Sequence, residues 1–185
     1  KGSLLRELPI LVVVALVVSL LIKTFLVQFF YIPSGSMENT LQVKDRVAVN
    51  KVPFLSRNIA RGDVVVFRDP AGWLPEIVDY STNKYVAKVK TGLVAVGVLP
   101  NPAKQYLVKR VIGVGGDRVV CCDKAGLLTV NGTAITEPYI FAGNKPSEMK
   151  FDVTVPKGKV WVMGDHRGAS ADSRYHQDDI NKGFV

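Results

Sequence analysis

From Pro9 to Phe30 the chain is almost unbroken Ile, Leu, Val, Ala and Phe, with Ser19, Lys23, Thr24 and Gln28 as its only polar side chains. As a helix rising about 1.5 Å per residue, this run just covers a hydrocarbon core of about 30 Å. The chain is therefore expected to place it in lipid and to build its remaining structure from the residues beyond Phe30. Lys23 falls in the distal half, where its stem reaches the headgroups. No small-x-small site closes the run, since its end reads Val27, Gln28, Phe29, Phe30 and Tyr31. The run thus reads as an uncleaved transmembrane anchor rather than a removable leader. Lys1 and Arg6 precede it and the aromatic cluster Phe29, Phe30, Tyr31 closes it. That arrangement places a stub of residues 1–8 in the cytoplasm, the anchor at 9–30, and everything after Tyr31 on the outer side of the cell membrane.

At 185 residues the whole chain has room for one good core or two small ones. Short Val-rich runs between Gly and Pro punctuation give a mainly β fold. Leu41 to Val49, around Asp45, reads as a strand or a strand pair near a turn, and strands are expected around Arg61 to Phe67, Gln105 to Val114, Asp117 to Asp123, Leu127 to Ile135, Val153 to Val155 and Val160 to Met163. Asn131-Gly132 marks a type I′ hairpin turn. Gly92 to Leu99, too short to span a bilayer, is expected to pack as core, the alternative being an insertion that touches the membrane surface.

The net charge of +8 comes from Lys and Arg scattered singly, with no basic helix. Nucleic acid is excluded as a partner, and anionic lipid headgroups are the better use of the charge. Cys121 and Cys122 are adjacent, with Cα atoms about 3.8 Å apart across a trans link, so free thiols are favoured over a vicinal disulfide. No spacing supports a metal site, and no cofactor is expected.

The candidate chemistry starts at Pro33-Ser34-Gly35-Ser36-Met37, a hydroxyl-bearing loop just past the apolar run. A nucleophile there would act on something that crosses the membrane. It needs a base. His166 and His176 both lie in the polar C-terminal stretch, and no Gly-x-Ser-x-Gly elbow is present. Lysine remains, but an amine with a pKa of about 10.4 accepts no proton at neutral pH unless burial lowers it. Lys109, inside Tyr106-Leu107-Val108-Lys109-Arg110-Val111-Ile112, is placed for that.

Four blocks stand in a telling order: the Ser36 loop, Arg61-Gly62-Asp63-Val64-Val65-Val66-Phe67, Lys109-Arg110-Val111-Ile112-Gly113, and Gly164-Asp165-His166-Arg167 running on through Ser170-Ala171-Asp172-Ser173-Arg174. In these blocks the chain resembles bacterial type I signal peptidases, a membrane-bound Ser-Lys serine endopeptidase family, over most of its length. The resemblance implies two fused antiparallel β-sheet domains. A catalytic core would run over 31–117 and 160–185, with a smaller β domain inserted at 118–159. It implies Ser36 as nucleophile, Lys109 as general base, Ser34 with the Ser36 N–H as the oxyanion hole, and Ser170 orienting the amine. Arg110, Asp165, Arg167, Asp172 and Arg174 are expected to form structural ion pairs.

The implied partners are signal peptides of exported preproteins, cut after small-x-small sites, together with membrane lipids and the secretion machinery. The substrate would add as a strand between residues 29–36 and 106–109. Asn39, Gly115 and His166 depart from the usual pattern. His166 and the cysteine pair are similar to the actinobacterial branch. The chain stops at Val185, before the closing strand that family members carry. A Ser-Lys autoprotease of the SOS-repressor type would need a DNA-binding helix-turn-helix where this chain has an apolar run. A non-catalytic membrane-anchored β module would not need Ser36, Lys109 and Ser170 together.

Overall fold

The computed structural model describes residues 4–52, 58–75 and 105–185. Helix α1 (Leu4–Phe25) is followed by strand β1 (Val27–Tyr31), which pairs antiparallel with β2 (Arg46–Asn50) in the register Val27↔Asn50 to Tyr31↔Arg46. The apolar run is therefore two elements and not one span of 9–30. Helix α1 starts earlier and carries Pro9 internally, and the run's last residues make sheet instead. Hydrophobicity is the same on both sides of Leu26, so the break comes from pairing with β2. Among the residues whose side chains are described, which in α1 are 7–20, no helix is long and apolar enough to cross a membrane.

The loop between β1 and β2 is pinched at its base. Ile32 N–H donates to the Asp45 carbonyl and Lys44 N–H to the Ile32 carbonyl, each at 2.9 Å. Lys44 takes φ +77°, and Asp45 Oδ2 accepts the Gln42 N–H at 2.8 Å. These turn bonds explain why 41–45 is not the strand its alternation suggests. Inside the loop, Gly35–Met37 forms one 3₁₀ turn with Ser36 and Met37 buried.

Strand β3 (Val64–Arg68) pairs with the first half of β4 (Tyr106–Val114), while the second half of β4 pairs with β9 (Val160–Met163). The β9 pairing begins at Arg110↔Met163, so residues 106–109 keep an edge that β9 does not cover. A third, four-stranded sheet has the order β7-β6-β5-β8, from β5 (Arg118–Cys121), β6 (Leu128–Val130), β7 (Thr133–Ala134) and β8 (Phe151–Thr154). Asn131 and Gly132 both have positive φ, 53° and 80°, as a type I′ turn requires.

The three- and four-stranded sheets pack together: Val119, Leu128, Val130 and Phe151 cluster with Ile112, Trp161, Met163 and Phe184. Cys121 and Cys122 are disulfide-bonded, with Cα atoms 3.0 Å apart across a cis peptide bond. The free-thiol expectation assumed a trans link and is corrected. Gly92 to Leu99 lies outside the described residues.

Candidate active site

Lys109 sits midway along β4, opposite Val65 of β3, and is 4% exposed. Its Nζ hydrogen-bonds Ser36 Oγ at 2.7 Å, joining residues 73 apart in sequence. Burial lowers the Lys109 pKa to about 8; Asp172 pulls it up and Arg174 pushes it down. These two opposed charges form one ion pair, Arg174 Nε to Asp172 Oδ1 at 2.8 Å, with both side chains essentially inaccessible. Their fields at the amine largely cancel, and desolvation decides the shift. A neutral amine here presents a lone pair to the Ser36 hydroxyl.

Asp172 is the hub beneath the pair. It accepts the Gly164 N–H at 2.9 Å, the Ser170 hydroxyl at 2.8 Å and the Arg174 guanidinium. The Ser170 hydroxyl donates to Asp172, and among the described residues it makes no hydrogen bond with the Lys109 amine. A fully buried carboxylate is the stronger acceptor for a hydroxyl.

Gly164 is required by close approach. A Cβ there would overlap both Ser170 Oγ and the Ser36 carbonyl oxygen. Gly164→Ala is expected to destabilise the fold by roughly 1–3 kcal/mol, as overpacking does. A chemical-denaturation midpoint equal to the parent's would overturn that.

The remaining charges brace the loop. Arg110, next to Lys109, makes a two-pronged ion pair with Asp165 at 2.8 and 2.6 Å, and Asp165 also accepts the Thr40 hydroxyl at 2.5 Å. Arg167 pairs with Glu137 at 2.5 Å, a partner no sequence pattern pointed to. Arg110 also lies 4.1 Å over the Tyr139 ring, and Asn39 Nδ2 donates to the Tyr139 carbonyl. Asn39 has φ +86°, which proline cannot adopt, so asparagine suits this position. The His166 N–H donates to the Ser36 carbonyl at 3.1 Å, and its Nδ1 meets Glu38 at 3.0 Å.

Ser36 and Lys109 open onto a cavity of about 1040 Å³. Its walls come from residues 29–34 of β1 and the loop, from 106–108 of β4, and from Leu74, Ala169 and Ala171. Ser34 is exposed on this wall as N-cap of the 3₁₀ turn, with no capping hydrogen bond from its hydroxyl. Sequence reasoning missed Leu74, Thr40 and Glu137. Only Thr40, within the serine loop itself, carried a local signal.

A buried hydroxyl and a desolvated amine lie in contact at the floor of an open apolar groove, an arrangement whose chemistry allows a serine nucleophile served by a lysine base. Residues 5–185 match the family described as "Signal peptidase, peptidase S26". The chain is 42% identical over 198 residues to signal peptidase I of Mycobacterium tuberculosis, covering 95% of this chain and 64% of that protein. It is 40% identical to the probable signal peptidase I of Mycobacterium leprae, covering 95% and 65%. With signal peptidase I P of Bacillus subtilis subsp. natto the identity is 30%, covering 97% and 86%. The chain belongs to the peptidase S26 signal peptidase family. It spans about two thirds of the length of its mycobacterial relatives.

Proposed function

We propose that this chain carries the catalytic unit of a type I signal peptidase, a membrane-anchored serine endopeptidase that removes signal peptides from exported preproteins after small-x-small sites. The observation that carries the reading is the 2.7 Å contact between Ser36 Oγ and a Lys109 amine whose pKa is lowered to about 8. In this reading Lys109 takes the Ser36 proton as Oγ attacks the scissile carbonyl. It then returns the proton to the leaving amine, and water releases the acyl-enzyme. The uncovered edge of residues 106–109 beside β1 suits an extended substrate adding as a strand. Residues 31–117 and 160–185 carry the chemistry, and 118–159 braces it through Glu137 and Tyr139.

The test is cleavage of a purified preprotein followed against pH. Only the neutral amine acts as a base, so turnover should rise tenfold per pH unit at low pH and level off near pH 8. A flat profile between pH 6 and 9 would overturn the assignment of Lys109 as base.

The full 22-residue helix α1, about 33 Å long, serves as the anchor in this reading. Large apolar side chains from Leu8 to Leu20 stand exposed, half or more of the surface of most of them, which lipid would cover. Lipids and the secretion machinery are then its neighbours, with the β structure outside the cytoplasm. Protease added to spheroplasts should degrade the β structure while a tag before Lys1 stays protected. A protected β structure would sink this topology.

A further inference from the structure

The cavity is far larger than two small side chains need, and one of its walls comes from a turn with no part in the Ser36 chemistry. Asp69 organises that turn. Its carboxylate accepts the N–H groups of Ala71, Trp73 and Leu74 at 3.2, 2.8 and 2.8 Å. Those bonds hold the Asp69 carboxyl below its usual range, against the opposing effect of burial. The turn is tied at both ends to Gln105, the residue before β4: the Asp69 N–H donates to the Gln105 carbonyl at 3.0 Å, and Gln105 Nε2 donates to the Pro75 carbonyl at 2.7 Å.

Trp73 fixes the turn from beneath. It is 7% exposed and stacks on His176, with ring centroids 4.3 Å apart and planes within 4°. The edge of Phe67 meets its other side at 6.1 Å. The next residue, Leu74, is half-buried, packs against the same β3-β4-β9 core as Trp73 and lines the cavity that holds Ser36 and Lys109. Ala169 and Ala171 also line it, and their small side chains leave the groove open on either side of Ser170.

We propose that Leu74 is a specificity-determining residue, the apolar stop that limits the size of a substrate side chain seated against this wall of the groove. The inference rests on the peptidase reading and deepens it. A loop built for connection alone has no need of three carboxylate bonds, a double tie to Gln105 and a ring stack at the residue next to one leucine. The preferred occupant is an apolar side chain of the extended signal peptide, and enlarging or shrinking residue 74 changes which size fits.

The experiment uses the full chain in detergent and a set of otherwise identical preproteins with Ala, Leu or Phe at each of the six positions before the cleavage site. Parent turnover on the all-small substrate tests the peptidase reading by itself. Leu74→Ala should raise kcat/KM for Phe relative to Ala by about tenfold or more at one position, with other positions unmoved, because pocket size discriminates at that scale. Leu74→Phe should shift the same ratio the opposite way. Equal effects on every substrate in both variants would make Leu74 a packing residue and overturn the proposal, even with the parent fully active.

Discussion

Ser36→Ala and Lys109→Met are each expected to lower preprotein cleavage on the order of 10⁴-fold or more, with circular dichroism unchanged, because each removes half of one proton-transfer unit. The two variants should differ in stability. Unfolded, Lys109 titrates near 10.5; folded, near 8. Below about pH 8 both states bind the proton, and the native state bears the full cost of a buried ammonium. Between about 8 and 10.5 only the unfolded state stays protonated, so stability rises with pH, by about 3 kcal/mol in total.

Methionine fills the same space without charge. Lys109→Met should therefore unfold at a higher temperature than the parent at pH 6, and the gap should close towards pH 10. A parent already as stable as the variant at pH 6 would show that the amine is not held in a desolvated site. Retained turnover in either variant would remove the dyad itself. The chemistry needs the very burial that weakens the fold, a trade found where activity depends on a destabilised group.

Structure was legible in the sequence wherever the determining forces are local. The Asn131-Gly132 turn comes from two residues that tolerate positive φ. Strands β3, β4 and β9 come from dense Val runs bounded by Gly and Asp. Long-range partners were not legible. The boundary between Phe25 and Val27 separates helix from sheet within one hydrophobic run, and periodicity does not distinguish the two there. Glu137 reaches Arg167 across 30 residues, and the Ser170 hydroxyl donates to Asp172. In both cases burial decides, since a buried charge must find its partner wherever the fold places one.

Ser34→Ala is expected to lower kcat by on the order of 10²–10³ with KM nearly unchanged. The reason lies in what the Ser34 hydroxyl does not do. At an N-cap, with extended dihedrals of −132° and 155°, a serine ordinarily bonds the turn it caps; here it makes no such bond. The hydroxyl instead sits exposed on the cavity wall shared with Ser36 and Lys109. A donor left uncommitted beside the nucleophile is available to the oxyanion that forms when Ser36 attacks, and a substrate carbonyl carries too little charge to use it as strongly. The contribution therefore falls on the transition state and on kcat. Ser34→Thr keeps the hydroxyl and should recover most of the rate. A change confined to KM would make Ser34 a substrate-binding residue, and no recovery in Ser34→Thr together with a lowered unfolding temperature in both variants would make it a residue of the loop alone.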